Sequence, residues 1–150
     1  MHKELKKQKE STVIESWKGE PEDISPYYGF IYKITHLPTN KFYIGKKFFW
    51  FKHSRNPLKG KKRKRRYLTE SDWRTYWSSC LELQALIEEQ GISEFKREIL
   101  FLCKDKFECA YYEVKAQIEH NVLFDCNCFN KIINCRIRRV AKDGDETESI

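Results

Sequence analysis

The sequence predicts an α/β fold: a small three-stranded antiparallel sheet flanked by helices. Three observations carry that prediction. Two short aromatic and β-branched runs, FIYKIT and KFYIG, are separated by the turn-forming LPTN. A further apolar run, FKREILFL, begins at Phe95. Two stretches with apolar residues at helical spacing stand on either side of that third run. At 150 residues the chain suits one domain with a modest core.

Residues 1–28 open on the charged MHKELKKQKE and pass into GEPEDISP, whose Gly, Pro and acidic residues mark an N-terminal extension and linker. The domain proper spans 29–140, and the acidic stretch 141–150 has the composition of a disordered tail. Within the first two runs Pro38 and Asn40 are turn formers, so the segment is a hairpin. If His36 pairs with Lys41, Ile34 lies opposite Tyr43 and Tyr32 opposite Gly45, which puts both tyrosines on one face. They are then diagonal neighbours, roughly 7–8 Å apart at the backbone. Gly45 leaves open space across from Tyr32, where a substrate group can enter.

Phe48, Phe49, Trp50 and Phe51 crowd together after the hairpin and read as packing residues, with stacking on exposed bases as the alternative for one or two of them. Ser71-Asp72 precedes WRTYWSSCLELQALIEEQG, read as a helix with Cys80, Leu83, Leu86 and Ile87 inward and Gly91 as its C-terminal cap. The run from Phe95 is a buried third strand that joins the hairpin's sheet. The second helix has Asp105 as N-cap and Phe107, Tyr111, Val114 and Ile118 along its inward stripe.

Charge separates partner classes. The formal net charge is +7, and residues 29–140 carry 23 Lys or Arg against 12 Asp or Glu. Between Lys46 and Arg66 there are eleven basic residues and no acidic one. Such a run repels itself and is settled by a polyanion; a solvated loop or a localisation address is the other reading. Lys46, His53, Lys61, Lys62, Arg63, Lys64, Arg65 and Arg66 are the candidate residues for holding a polyanion such as a phosphate backbone. No apolar run approaches a membrane span and no secretory segment is seen, so a cytoplasmic protein with free thiols at its six cysteines is expected. His120, Cys126, Cys128 and Cys135 lack the Cys-x-x-Cys knuckle of structural zinc and read as thiols with no metal.

Among carboxylates, Glu113 stands out. It adjoins Val114 at the margin of the apolar stripe and lines a helix edge with Gln117 and His120 at i, i+4 and i+7, where a ligand can face the sheet. A solvent-facing glutamate is the bland alternative.

Gly29-Phe30-Ile31-Tyr32 and Tyr43-Ile44-Gly45 resemble the paired signature of the GIY-YIG nuclease superfamily. The order of strands and helices from 29 to 134 is similar to that domain, and the stretch SSCLELQALIEEQGISEFKREIL is similar to phage-type homing endonucleases of the superfamily. The resemblance implies a domain in which two tyrosines, a basic residue, a glutamate and an asparagine surround one divalent metal and the scissile phosphate. Carried onto this chain, it assigns Tyr32 and Tyr43 as the tyrosines and Glu113 as the metal ligand. Asn130, which follows Phe129, is the asparagine, with Asn134 as its competitor. One carboxylate plus waters suits Mg2+, with Mn2+ as a substitute.

Two departures are visible. Phe30 stands where the first triplet usually has glycine, and no Arg-x-x-x-His follows the second triplet. The basic catalytic residue is therefore open among Lys47, Arg74 and His53. A phenol lowered in pKa by metal and lysine would orient or deprotonate the attacking water. The expected activity is metal-dependent hydrolysis of double-stranded DNA by a standalone, homing-type endonuclease with no small-molecule cofactor. An inactive nucleic-acid-binding module of the same fold is the alternative, and a structural protein docking on an acidic partner is a third.

Overall fold

The computed structural model describes residues 16–134 and 136–137. Strand β1 (Gly29–His36) and strand β2 (Lys41–Phe48) form the hairpin, with Asn40 in the left-handed region at φ 59° where a tight turn requires it. Their register pairs His36 with Lys41, Ile34 with Tyr43 and Tyr32 with Gly45, as the alternation predicts. Strands β3 (Trp50–Arg55) and β4 (Arg65–Glu70) form a separate two-stranded ribbon that the sequence reading lacked. Helix α1 (Leu81–Gln90), strand β5 (Phe95–Cys103) and helix α2 (Lys106–Glu119) complete the order.

The main sheet has the order β2-β1-β5 and is antiparallel throughout, so the expected three-stranded sheet flanked by helices is what the chain forms. Strand β1 lies in the middle and buries both faces. On one face Phe30, Tyr32 and Ile34 pack with Trp17, Phe49, Trp73, Leu83 and Phe129. On the other, Ile31, Phe42 and Ile44 pack with Cys103, Cys109 and Val122, beneath α2. The departure at Phe30 has a packing reason. Its ring lies within 5.0 Å of Trp17 and 4.9 Å of Phe49, filling the core. Close approach is met one residue earlier, where a Cβ on Gly29 would come within 2.6 Å of the Lys47 carbonyl.

Several expected elements take a different form. The helix read from 73 begins only at Leu81; before it stand a 3-10 turn at Trp73–Thr75 and an extended stretch in which Ser78 has φ 81°. Trp73 is fully buried, so this stretch is held by packing of its own. Strand β5 is an edge strand rather than a well-buried one, with Leu100 and Phe101 partly exposed. In α2 the Asp105 cap accepts from the Glu108 amide as expected. The inward face, however, carries Cys109, Val114 and Gln117, while Phe107, Tyr111 and Ile118 of the predicted stripe are exposed. Of the four crowded aromatics, Phe49 is fully buried, Phe48 and Trp50 are half-buried and Phe51 is exposed.

Part of the stretch read as extension and linker packs on the domain. Trp17 and Ile24 are buried, and Lys18 pairs beside Glu98 on the β5 edge. Residues 1–15 and the acidic stretch 141–150 lie outside the described residues. Among those described, Cys80, Cys103, Cys109, Cys126 and Cys128 are free thiols, and no helix is long and apolar enough to cross a membrane.

Candidate active site

The alternation that makes the hairpin also builds the site. Tyr32, Tyr43, Gly45 and Lys47 fall on one face of the β1–β2 pair, and the rings of Tyr32 and Tyr43 are 6.1 Å apart. The space opposite Tyr32 is not open, contrary to the sequence expectation. A Cβ at Gly45 would lie 2.6 Å from the Tyr32 hydroxyl, so glycine there makes room for the phenol itself. Tyr32 is thus buried, packed edge-on against Tyr76 at 5.8 Å, and Tyr43 is the half-exposed member of the pair.

Burial pushes the Tyr32 phenol well above its ordinary range; the nearby Tyr76 and Tyr43 add to the rise and a hydrogen bond with Ser78 opposes it. Burial also raises Tyr43, and a hydrogen bond with Ser79 pulls it back. Both phenols are therefore protonated donors in the free chain. The expected lowering of a tyrosine pKa does not arise from the protein groups around either ring.

Lys47, largely covered, reaches over the Tyr76 ring at 4.2 Å and pairs with Asp72 at 2.6 Å. Arg74 is placed elsewhere: it lies over the Trp73 indole at 4.4 Å and bonds Glu20 and Glu70 at 2.9 and 3.1 Å. His53 lies on the ribbon, bonded to Thr69. Of the three basic candidates, Lys47 is the one that shares the tyrosine face. The turn carrying Tyr76 is fixed from below by buried Arg97, whose guanidinium lies between Trp17 and Trp77 and donates to the Arg74 and Tyr76 carbonyls at 3.2 and 2.9 Å.

Glu113 approaches from the other side of the sheet, around the edge of β2. An edge strand leaves alternate backbone groups unpaired, and here they are covered one after another. Phe42 donates to the Asn127 carbonyl at 3.0 Å. The Ile44 amide donates to Asn130 Oδ1 at 3.0 Å, while Asn130 Nδ2 and Gln117 Nε2 both donate to the Ile44 carbonyl. Lys46 follows, its ammonium 3.7 Å from the Glu113 carboxylate. Burial nevertheless raises the Glu113 pKa, the lysine only partly offsetting it. Glu113 is close enough to Tyr43 for its charge to help raise that phenol.

Asn130 is thus spent on β2 and reaches the site through it, whereas Asn134 is exposed. Lys61, Lys62, Arg63, Lys64, Arg65 and Arg66 sit on the exposed outer part of the ribbon. The Cys128 thiol donates to Asn130 at 3.2 Å, and Cys135 lies outside the described residues.

A family model described as "Putative endonuclease segE, GIY-YIG domain" matches residues 4–133. The chain belongs to the GIY-YIG endonuclease family. No curated protein and no solved structure matches it. The match reaches back across the segment that carries Trp17 and Ile24, in keeping with their burial. Tyr76, Ser78, Asp72 and Arg97 are the residues around the tyrosine pair that the sequence did not point to. The serine pair at 78–79 was in view, but as part of a helix, which hid its contact with the tyrosines.

Proposed function

We propose that the chain is a metal-dependent endodeoxyribonuclease acting on double-stranded DNA, with its active centre at the β2 edge among Tyr43, Lys47 and Glu113. The observation that supports this most is the convergence of a half-buried carboxylate, a half-exposed phenol and a covered lysine from two faces of one edge strand. The donor set suits Mg2+ or Mn2+: among the described residues no three His, Cys, Asp or Glu cluster, so Glu113 and water would hold a hard cation that keeps most of its hydration. The same set does not suit structural zinc. When bound, such a cation neutralises phosphate charge and makes water a better nucleophile.

The remaining work falls to the chain. Lys47 supplies a point charge to the phosphate, exchanging Asp72 for it. Tyr43, protonated, donates to a phosphate oxygen or holds the attacking water, and buried Tyr32 fixes its orientation from beneath. Gln117 and Asn130 keep β2 in place so that Lys46 holds the carboxylate. A homing-type role, suggested by the similarity to phage-type enzymes, adds nothing to this chemistry.

Supercoiled plasmid incubated with the purified chain distinguishes the readings. Nicked or linear product in Mg2+ or Mn2+, absent in chelator, is expected. A gel shift with no cutting in either ion would replace the enzyme by a binding module of the same fold.

A further inference from the structure

The β3–β4 ribbon makes no sheet pairing except with itself, and every residue of β4 is exposed. A two-stranded ribbon in water is marginal, and this one places Arg55 directly opposite Arg65, a like-charge pair that weakens it further. Its root is nonetheless fixed. Phe49 is buried, Trp50 donates to the Tyr27 carbonyl at 2.9 Å, and Ser71 bonds back to Phe48 and Phe49. An arm anchored at the base and charged along its length is suited to an anionic partner.

Its two faces differ. Trp50, Lys52 and Ser54 share one with Glu70, Leu68 and Arg66; Phe51, His53 and Arg55 share the other with Thr69, Tyr67 and Arg65. The second face is ordered by stacking of His53 on Tyr67 at 4.9 Å and by the Arg55 guanidinium 4.5 Å from the same ring. It also runs into the active site: the Lys47 ammonium lies 5.3 Å from the Phe51 ring as well as over Tyr76. A phosphodiester held at Lys47 therefore has this face beside it.

We propose that the ribbon lies in the major groove of the duplex being cut and reads its sequence through Arg55 and Arg65, while the tip lysines Lys61, Lys62 and Lys64 contact phosphates. The inference rests on the duplex-DNA reading above. The groove, about 12 Å wide, admits a two-stranded ribbon, and arginine pairs bidentately with guanine there. The N7 and O6 acceptors of guanine and the flanking phosphates also supply the negative potential that the Arg55–Arg65 pair lacks.

Selection by the full chain from a randomised duplex pool, in chelator so that no cutting intervenes, tests this separately from nuclease activity. The parent is expected to enrich sequences with fixed G·C pairs. Arg55→Ala and Arg65→Ala should each lose roughly five- to hundredfold discrimination at their own base pair while still binding bulk duplex. Lys61→Ala with Lys62→Ala should keep the enriched sequence, bind more weakly, and lower the salt slope by roughly 0.9 per phosphate contact removed. Arginine variants that enrich the parent's sequence undiminished, or a parent that enriches none, would overturn the proposal. Absence of cutting in Mg2+ with selection intact would instead count against the nuclease reading alone.

Discussion

The sequence leaves Lys47, Arg74 and His53 open as the phosphate cation, with Arg74 slightly favoured over Lys47, and their surroundings separate them. Lys47 lies over Tyr76 on the tyrosine face, whereas Arg74 is held by Glu20 and Glu70 over Trp73. Lys47→Ala is expected to reduce single-turnover cutting by about 100-fold, the scale of losing one transition-state contact. Arg74→Ala should change it no more than a few-fold; the reverse ranking in the same assay would move the phosphate site. Glu113 carries a pH signature. Its folded pKa is raised by burial, so its contribution to stability is fully present below the unfolded value of about 4.3 and is lost as pH rises through the folded one. Glutamine has no charge to desolvate. In chelator, Glu113→Gln should therefore gain on the parent in Tm from pH 4 to pH 7.5, and a gain that shrinks over that interval would contradict the assignment. The half-covered position of Glu113 at the sheet margin was readable from its place beside Val114. Tyr76 and Arg97 were not, because their value lies in contacts between segments far apart in sequence.

At the scale of elements, the hairpin was legible because its turn residues and alternation are local. The face of α2 was not: Phe107 and Ile118 are far more apolar than Gln117, yet they are exposed and Gln117 is buried, its amide covering the Ile44 carbonyl. The β3–β4 ribbon was hidden for a related reason. A run dominated by Lys and Arg lacks the β-branched composition that marks a strand, and only cross-strand pairing reveals it. The β2 edge yields a stability prediction. Asn130→Ala orphans the Ile44 amide, while Gln117 still covers the carbonyl. A loss of about 1–3 kcal/mol is expected in urea unfolding. A variant of parental stability would mean that the 127–130 segment does not brace this strand.

Across the whole molecule the design is a sheet with helices on both faces and the site at its edge, with a basic arm leading away from it. The sequence placed the basic surplus and the tyrosine pair correctly but could not show that Glu113 reaches them around β2, since that depends on how α2 seats on the opposite face. The most direct measurement is single-turnover plasmid cutting by the parent and by Glu113→Gln in Mg2+, each with a melting curve in the same buffer. The account predicts a loss of about 100-fold or more with Tm equal to or above the parent's. A variant that cuts within a few-fold of the parent at unchanged Tm would contradict a centre built on this carboxylate.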